Sequence, residues 1–259
     1  MFHLYGLIIG VASITTLLLA EKKLHQHHFS PQLWWQVVPW LLLGALIGAR
    51  LYHVLTDYQL YLSQPWQVFA LWQGGLSIIG AVIGAAVTLL FVTYWKRQWN
   101  QSLLPPLVIA DVMAFALPVG QAIGRLGNWV NQELYGLPTN LPWAIYIDPA
   151  HRFPAYINQS YYHPLFAYEA LPLLFFTLYL WLQDQKSFYA VGQGWYFTTY
   201  LFFYGLLRFC LDYLRIDKSF FFGGLLGKNQ VVMLILVIVS ARILYTFSHS
   251  KNKILCQKN

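Results

Sequence analysis

Long runs of about twenty residues with almost no charge recur from one end of this chain to the other, and nothing constrains its fold more. A backbone placed in hydrocarbon must satisfy its own N–H and C=O groups, which leaves only helices and closed barrels. Barrel strands alternate apolar and polar residues over short segments, and these runs do not alternate. The expected fold class is therefore all-α, a polytopic membrane protein with about seven transmembrane helices. Composition agrees: 58% hydrophobic residues, 10% charged and a mean hydropathy of +0.49 leave too little polar surface for a soluble globule. The spans are expected near Leu4–Ala20, Leu33–Leu55, Trp72–Trp95, Leu104–Gly124, Leu165–Leu182, Gly194–Leu214 and Gln230–Phe247. Residues 125–164, with five prolines and many aromatics, read as an extramembrane cap inserted into one integral domain, residues 1–259.

The charges set an expected orientation. Lys22, Lys23, Lys96, Arg97, Lys186, Lys251, Lys253 and Lys258 fall on one side; Arg125, Arg152, Arg215, Lys218 and Lys228 fall on the other. The richer side should be cytoplasmic, which puts the N-terminus outside, the C-terminus inside and residues 125–164 on the external face. The net charge of +7 does not point to nucleic acid, because no basic stretch is interleaved with aromatics on a soluble domain. Positive charge follows the first apolar run, whereas a secretory signal carries it before, so that run is expected to be retained. His25, His27 and His28 read as a solvated loop, with no metal site. Cys210 and Cys256 offer no disulfide framework. The Gly44/Gly48, Gly80/Gly84 and Gly120/Gly124 pairs should let spans two, three and four approach closely. The loop after span six carries Gly223 and Gly224.

Polar groups concentrate in Gly120–Gly136, GQAIGRLGNWVNQELYG, at the end of an apolar run that Pro118 should kink. Arg125, Asn128, Asn131 and Glu133 stand there together. An arginine fork with two amides suits an anionic ligand, and a polar helix cap is the plainer alternative. A second stripe, Tyr204–Arg208–Asp212, repeats every four residues, so one turn should bring Arg208 and Asp212 together, either as an internal ion pair or facing a cavity. Arg50, Arg125 and Arg208 all lie toward the external ends of their spans. With Glu133, Glu169 and Asp212 they make a site able to hold a phosphate while keeping carboxylates available.

These residues carry a resemblance. The run Gly124-Arg125-Leu126-Gly127-Asn128-Trp129-Val130-Asn131-Gln132-Glu133-Leu134-Tyr135-Gly136 resembles the signature of the prolipoprotein diacylglyceryl transferases. Tyr5-Gly6, Arg50-Leu51, Trp72-Gln73-Gly74-Gly75-Leu76-Ser77, Leu141-Pro142-Trp143, His163-Pro164 with Tyr168-Glu169, Arg208-Phe209 and Gln230 continue it in order. The resemblance implies an enzyme of the bacterial inner membrane that moves a diacylglyceryl group from phosphatidylglycerol to a prolipoprotein. The acceptor would be the lipobox cysteine of the prolipoprotein signal peptide, and glycerol phosphate would be released. It implies catalytic roles for Arg125, Asn128, Glu133, Arg208 and Asp212. Tyr5, Arg50, Gly75, Asn131, Gly136, Glu169 and Tyr204 would bind substrate. Membrane lipid is the medium, and neither metal nor organic cofactor is required. Two positions depart from the pattern: Ile79 stands where the family carries a histidine, and Asp212 where it carries a glutamate. A protein that binds or moves anionic phospholipid without chemistry is the alternative from a different class, although no inverted repeat is evident.

Overall fold

The computed structural model describes residues 4–98, 103–186, 189–218 and 226–256, without the side chains of Gln73, Arg97 and residues 250–256. The loop bearing Gly223 and Gly224, and Lys258, lie outside the described residues. Eight helices dominate the described residues: α1 Leu4–Gln26, α2 Pro31–Thr56, the short α3 Tyr58–Ser63, α4 Ile78–Gln98, α5 Pro106–Val130, α6 Leu165–Gln185, α7 Trp195–Leu211 and α8 Lys228–Cys256. Among the described residues the only sheet is a two-residue antiparallel pair, β1 Ile145–Tyr146 with β2 Tyr161–Tyr162, within the segment read as a cap. Among the described residues six helices are long and apolar enough to cross a membrane: α1, α2, α4, α5, α6 and α8. The 17 residues of α7 span roughly 26 Å at 1.5 Å per residue, at the short end of the crossing range. Counting α7, the all-α polytopic architecture holds.

Helix ends differ from the sequence reading in two places. Trp72-Gln73-Gly74-Gly75 does not open a span: Leu71–Gln73 is a single 3-10 turn, and Gly74 and Gly75 follow at φ of 83° and 70°. An L-residue is strained at such angles, so the pair of glycines ends helical propagation and α4 begins only at Ile78. In contrast, α5 continues through Pro118 and past Gly124 to Val130, so Arg125 and Asn128 are helical and not part of a loop.

The chain divides into two compact units, one formed by Leu24–Ile109, the other by residues up to Lys23 and from Ala110 onward. In the Leu24–Ile109 unit, α2 and α4 pack along their glycines. A Cβ on Gly48 would strike the carbonyl of Gly80 and the backbone of Gly84, and one on Gly84 would strike the carbonyl of Gly44. Backbone-to-backbone approach of this kind lets two apolar helices gain contact where no hydrophobic driving force separates lipid from protein. The third glycine pair behaves otherwise: Gly120 faces Thr16 and Ala12 of α1, while Gly124 meets only the Ile9 side chain. The expectation that all three pairs join spans two, three and four is corrected accordingly.

In the other unit, an aromatic core gathers Phe115 of α5, Phe176 and Leu180 of α6, and Trp195, Tyr196 and Tyr200 of α7. Phe176 stacks on Phe203 at 4.2 Å and Tyr189 on Trp195 at 4.2 Å. Asp111 stitches the entry to α7, accepting backbone N–H bonds from Gly192 and Gly194 at 2.8 Å and from Phe197 at 2.9 Å. The last two belong to the donors that the first turn of a helix leaves without partners, and the first ties down the turn before it. The core anchors one end of α7; Arg208, thirteen residues on, lies roughly 20 Å further along the axis.

Gly48→Leu should therefore lower the thermal midpoint of the detergent-solubilised protein, since the obstructing atoms are backbone and cannot swing away; overpacking of this kind costs about 1–3 kcal/mol. Gly10→Ala, where a Cβ meets nothing within 4 Å, should leave the midpoint unchanged or slightly raised.

Candidate functional site

The end of α5 is built by a helix-stop motif centred on Gln132. The Gln132 N–H bonds to the Trp129 carbonyl at 3.1 Å and the Glu133 N–H to the Asn128 carbonyl at 2.9 Å, while Gln132 sits in the left-handed region at φ 50°. Glycine normally takes this place because other residues are strained there by about 1–2 kcal/mol. Gln132 offsets that cost with its side chain. Its Nε2 donates to Asp148 at 2.6 Å and its Oε1 accepts the Asp148 N–H at 2.7 Å, tying the cap to the helix end. The reversal folds Glu133 back over the last turn, where Asn128 Nδ2 and Asn131 Nδ2 donate to its Oε1 at 3.2 and 3.3 Å. Asn128 uses its oxygen for Arg125 Nη1 at 3.1 Å, so one buried amide links the guanidinium to the carboxylate.

Glu169 of α6 completes the cluster. Its side chain is 4% exposed and receives Arg125 Nη2 on Oε1 at 2.6 Å and Arg208 Nη1 on Oε2 at 2.7 Å. The pairing expected between Arg208 and Asp212 is not the one formed. The long-range partner wins, because α7 gives way at Asp212 to a 3-10 turn, Asp212–Leu214, and the regular four-residue register ends there. Tyr204, one turn before Arg208, lies in the field of Glu169, Arg208 and Arg125 and stacks on Tyr200 at 5.8 Å. Tyr5 of α1 packs its ring where a side chain on Gly127 would sit, bracing the outer turn of α5.

Two residues escaped the sequence reading. Buried Asp212 lies 3.8 Å from Arg215, and Arg215 forks onto Asp217, Nε to Oδ1 at 2.9 Å and Nη2 to Oδ2 at 2.6 Å. The hydrogen bonds from Arg215 hold the Asp217 carboxyl below its ordinary range, and the same bonds raise the Arg215 guanidinium further above its own. The sign follows: stabilisation from Asp217 is complete above the usual carboxylate range and fades only as pH falls through the lowered value. Gly136 places Arg215. It forms an antiparallel bridge with Arg215, and a Cβ on it would meet the Leu214 carbonyl at 2.9 Å. Arg215 had counted only as a topological charge. No local spacing signals its place, because the helix that carries Arg208 ends at Leu211 and the bridge to Gly136 comes from far back in the chain.

Arg125, Asn131, Glu133, Glu169, Arg208, Arg215 and Asp217 line one cleft of about 320 Å³, together with apolar Leu134, Phe153, Leu165, Phe166, Leu211 and Ile216. Tyr135 closes one side: its hydroxyl donates to the His151 carbonyl at 2.6 Å and accepts the Phe153 N–H at 2.7 Å, and burial pushes that phenol up. The cleft can hold an anionic head group against guanidinium donors, with apolar surface beside it.

Arg50 and Gly75 belong to the Leu24–Ile109 unit. The Arg50 guanidinium donates to the carbonyls of Val68 at 2.9 Å, Gly74 at 2.6 Å and Gly75 at 2.9 Å, to that of Gln67, and more distantly to Ala70. The expected open fork for phosphate is thus turned toward its own backbone. Gly75 is held against this guanidinium and against His53, whose Nδ1 meets the Tyr61 hydroxyl at 2.9 Å. Ile79 sits half-exposed in the first turn of α4. Gln230 accepts the Gly227 N–H at 2.8 Å at the start of α8.

Comparison with known proteins gives a consistent answer. A family model described as prolipoprotein diacylglyceryl transferase matches residues 1–246. A protein of Thermosynechococcus vestitus named phosphatidylglycerol–prolipoprotein diacylglyceryl transferase is 37% identical over 236 residues, covering 90% of this chain and 84% of the relative. Proteins of the same name from Gloeobacter violaceus (36% over 244 residues, 92% and 85% covered) and Fervidobacterium nodosum (31% over 239 residues, 92% and 78% covered) are similar throughout.

Glu169→Gln tests the geometry. It removes the charge between two guanidinium groups, and breaking a buried pair from one side costs about 3–5 kcal/mol. The thermal midpoint should fall well below that of Asp212→Asn, whose nearest cation is 3.8 Å away. Equal effects would show that Glu169 does not carry the cluster.

Proposed function

Since the chain belongs to the prolipoprotein diacylglyceryl transferase family, we propose that it transfers the diacylglyceryl group of phosphatidylglycerol to the lipobox cysteine of prolipoprotein signal peptides. The observation that carries this is the cleft in which three arginines face three carboxylates beside an apolar wall. The sulfur–carbon bond forms at the glycerol carbon, the bond from that carbon to the phosphate oxygen breaks, and glycerol phosphate leaves with the bonding pair. The thiol proton goes to a base.

Each charged group has a different freedom. Glu169 has both oxygens engaged by guanidinium groups, so it orients Arg125 and Arg208 and takes no proton. Arg208 commits only Nη1 to it, leaving donors for phosphate oxygens as negative charge grows on the leaving group. Arg125 is fixed by Glu169 and Asn128 at the back of the same cleft. Glu133 holds only amide donors and, among the described residues, has no cation within salt-bridge distance; it is the carboxylate free to accept the thiol proton. Ile79 supplies no imidazole. Asn131 lines the cleft, Gly136 places Arg215 and Asp212 steadies it, and Tyr204 and Tyr5 brace the helices on which the arginines ride. Arg50 acts by shaping the 65–75 loop around Gly75.

The charge distribution supports a bacterial inner-membrane protein with the N-terminus periplasmic, the C-terminus cytoplasmic and the cleft toward the periplasm. It supports one integral domain with residues 125–164 as its periplasmic cap.

Purified protein incubated with phosphatidylglycerol and a lipobox peptide should yield a peptide heavier by one diacylglyceryl group. Lipid binding without that product would favour the non-catalytic reading. Arg125→Lys should lose about tenfold or more, ~1.4 kcal/mol, because an ammonium cannot serve both Asn128 and Glu169 in the fork geometry. Glu133→Gln should lose about 10²–10⁴-fold while retaining lipid binding; near-normal turnover would move the base elsewhere.

A further inference from the structure

Two of the three carboxylates that line the cleft with its arginines differ in one respect. Glu169 is 4% exposed and wedged between two helices, whereas Asp217 is 52% exposed. Both make charge-assisted bonds of similar length, so what separates them is the cost of leaving. A buried carboxylate cannot depart without uncovering two guanidinium groups. An exposed one can turn into water, since ion pairs of that kind contribute little.

Arg215 would stay in place if Asp217 left. Asp212, 6% exposed, remains 3.8 Å away on the other side, and the backbone of Arg215 is bridged to Gly136. The vacated donors are Nε and Nη2, the planar edge that matches two oxygens of a carboxylate or a phosphate equally well. Arg215 and Asp217 line the same cleft as Arg208, and the charged side chains there balance, Arg125, Arg208 and Arg215 against Glu133, Glu169 and Asp217. A phosphodiester entering this cleft adds one negative charge. Expelling Asp217 from the arginine edge restores the balance.

We propose that Asp217 is an exchangeable counter-ion for Arg215, displaced by the lipid phosphate on binding and returning to the guanidinium as glycerol phosphate departs. The inference rests on the transferase reading for the identity of the phosphate, and on the geometry alone for the exchange. It gives Asp217 a role in affinity and product release without contact with the reacting carbon. The exchange also spares the chain an empty guanidinium fork when no lipid is bound.

The test uses Asp217→Asn and Asp217→Ser in the full-length, detergent-solubilised protein. Thermal protection by glycerol phosphate is titrated in each, and the KM for phosphatidylglycerol in mixed micelles is measured beside kcat. With the competitor neutralised, the half-protecting concentration and the KM should each fall about fivefold, the scale of one exposed ion pair, and kcat should fall or stay level as product leaves more slowly. The same substitutions in an Arg215→Met background should change neither. Unchanged or weaker protection in variants that retain the unliganded midpoint would overturn the proposal, as would an equal gain without Arg215. If the wild type moves no diacylglyceryl group yet the protection shift appears, the transferase reading fails and the counter-ion stands.

Discussion

One carboxylate, Glu169, takes a guanidinium on each oxygen and in doing so joins α5, α6 and α7 at a single point. Without it, Arg125 and Arg208 would face each other as like charges in a poorly solvated setting, where repulsion is strong. With it, the two cations keep a separation set by the width of a carboxylate. A cluster carrying one net positive charge is then presented to the cleft. Asn128 carries the ordering one step further by holding Arg125 with its oxygen and Glu133 with its nitrogen. The other end of α7 is fixed independently by stacked aromatics and by the Asp111 cap, so the helix is pinned apolar-side and polar-side at once.

How much of this was legible in the sequence depends on the range of the interaction involved. The spans were legible because hydrocarbon burial acts on every residue of a run, and Leu165 and the neighbourhood of Pro31 mark helix starts in the structure as in the reading. The stop at Val130 was not, since it depends on Gln132 adopting a conformation for which glycine is the usual signal. The arginine at 125, the amides and Glu133 could be gathered from local spacing alone. The pairing of Arg208 could not: its partner lies thirty-nine residues earlier in the chain, and a rule of four residues per turn presumes a helix that here tightens at Asp212. Arg215 was visible as a charge but not as a neighbour, because the bridge that places it comes from Gly136.

Family membership and geometry bear on different questions. The comparisons tie most of the chain to transferases named for phosphatidylglycerol and prolipoprotein. The geometry sorts the charged residues by how tightly each is already held. Glu169 and Asp212 are enclosed, Glu133 is held by amides only, and Asp217 reaches into water. A reaction that must bind an anion, accept a proton and let a more highly charged product go asks for groups in each of these conditions.

The segment between α3 and α4 has little repeating hydrogen-bonded structure, yet its carbonyls at Gln67, Val68, Gly74 and Gly75 converge on a single side chain. A lysine in that position would offer three donors from one point and could surrender its charge if desolvated; a guanidinium distributes five across a plane and keeps its proton at any acidity a living cell encounters. The shape of this connection therefore rests on a flat spread of donors that a single point of charge could not reproduce.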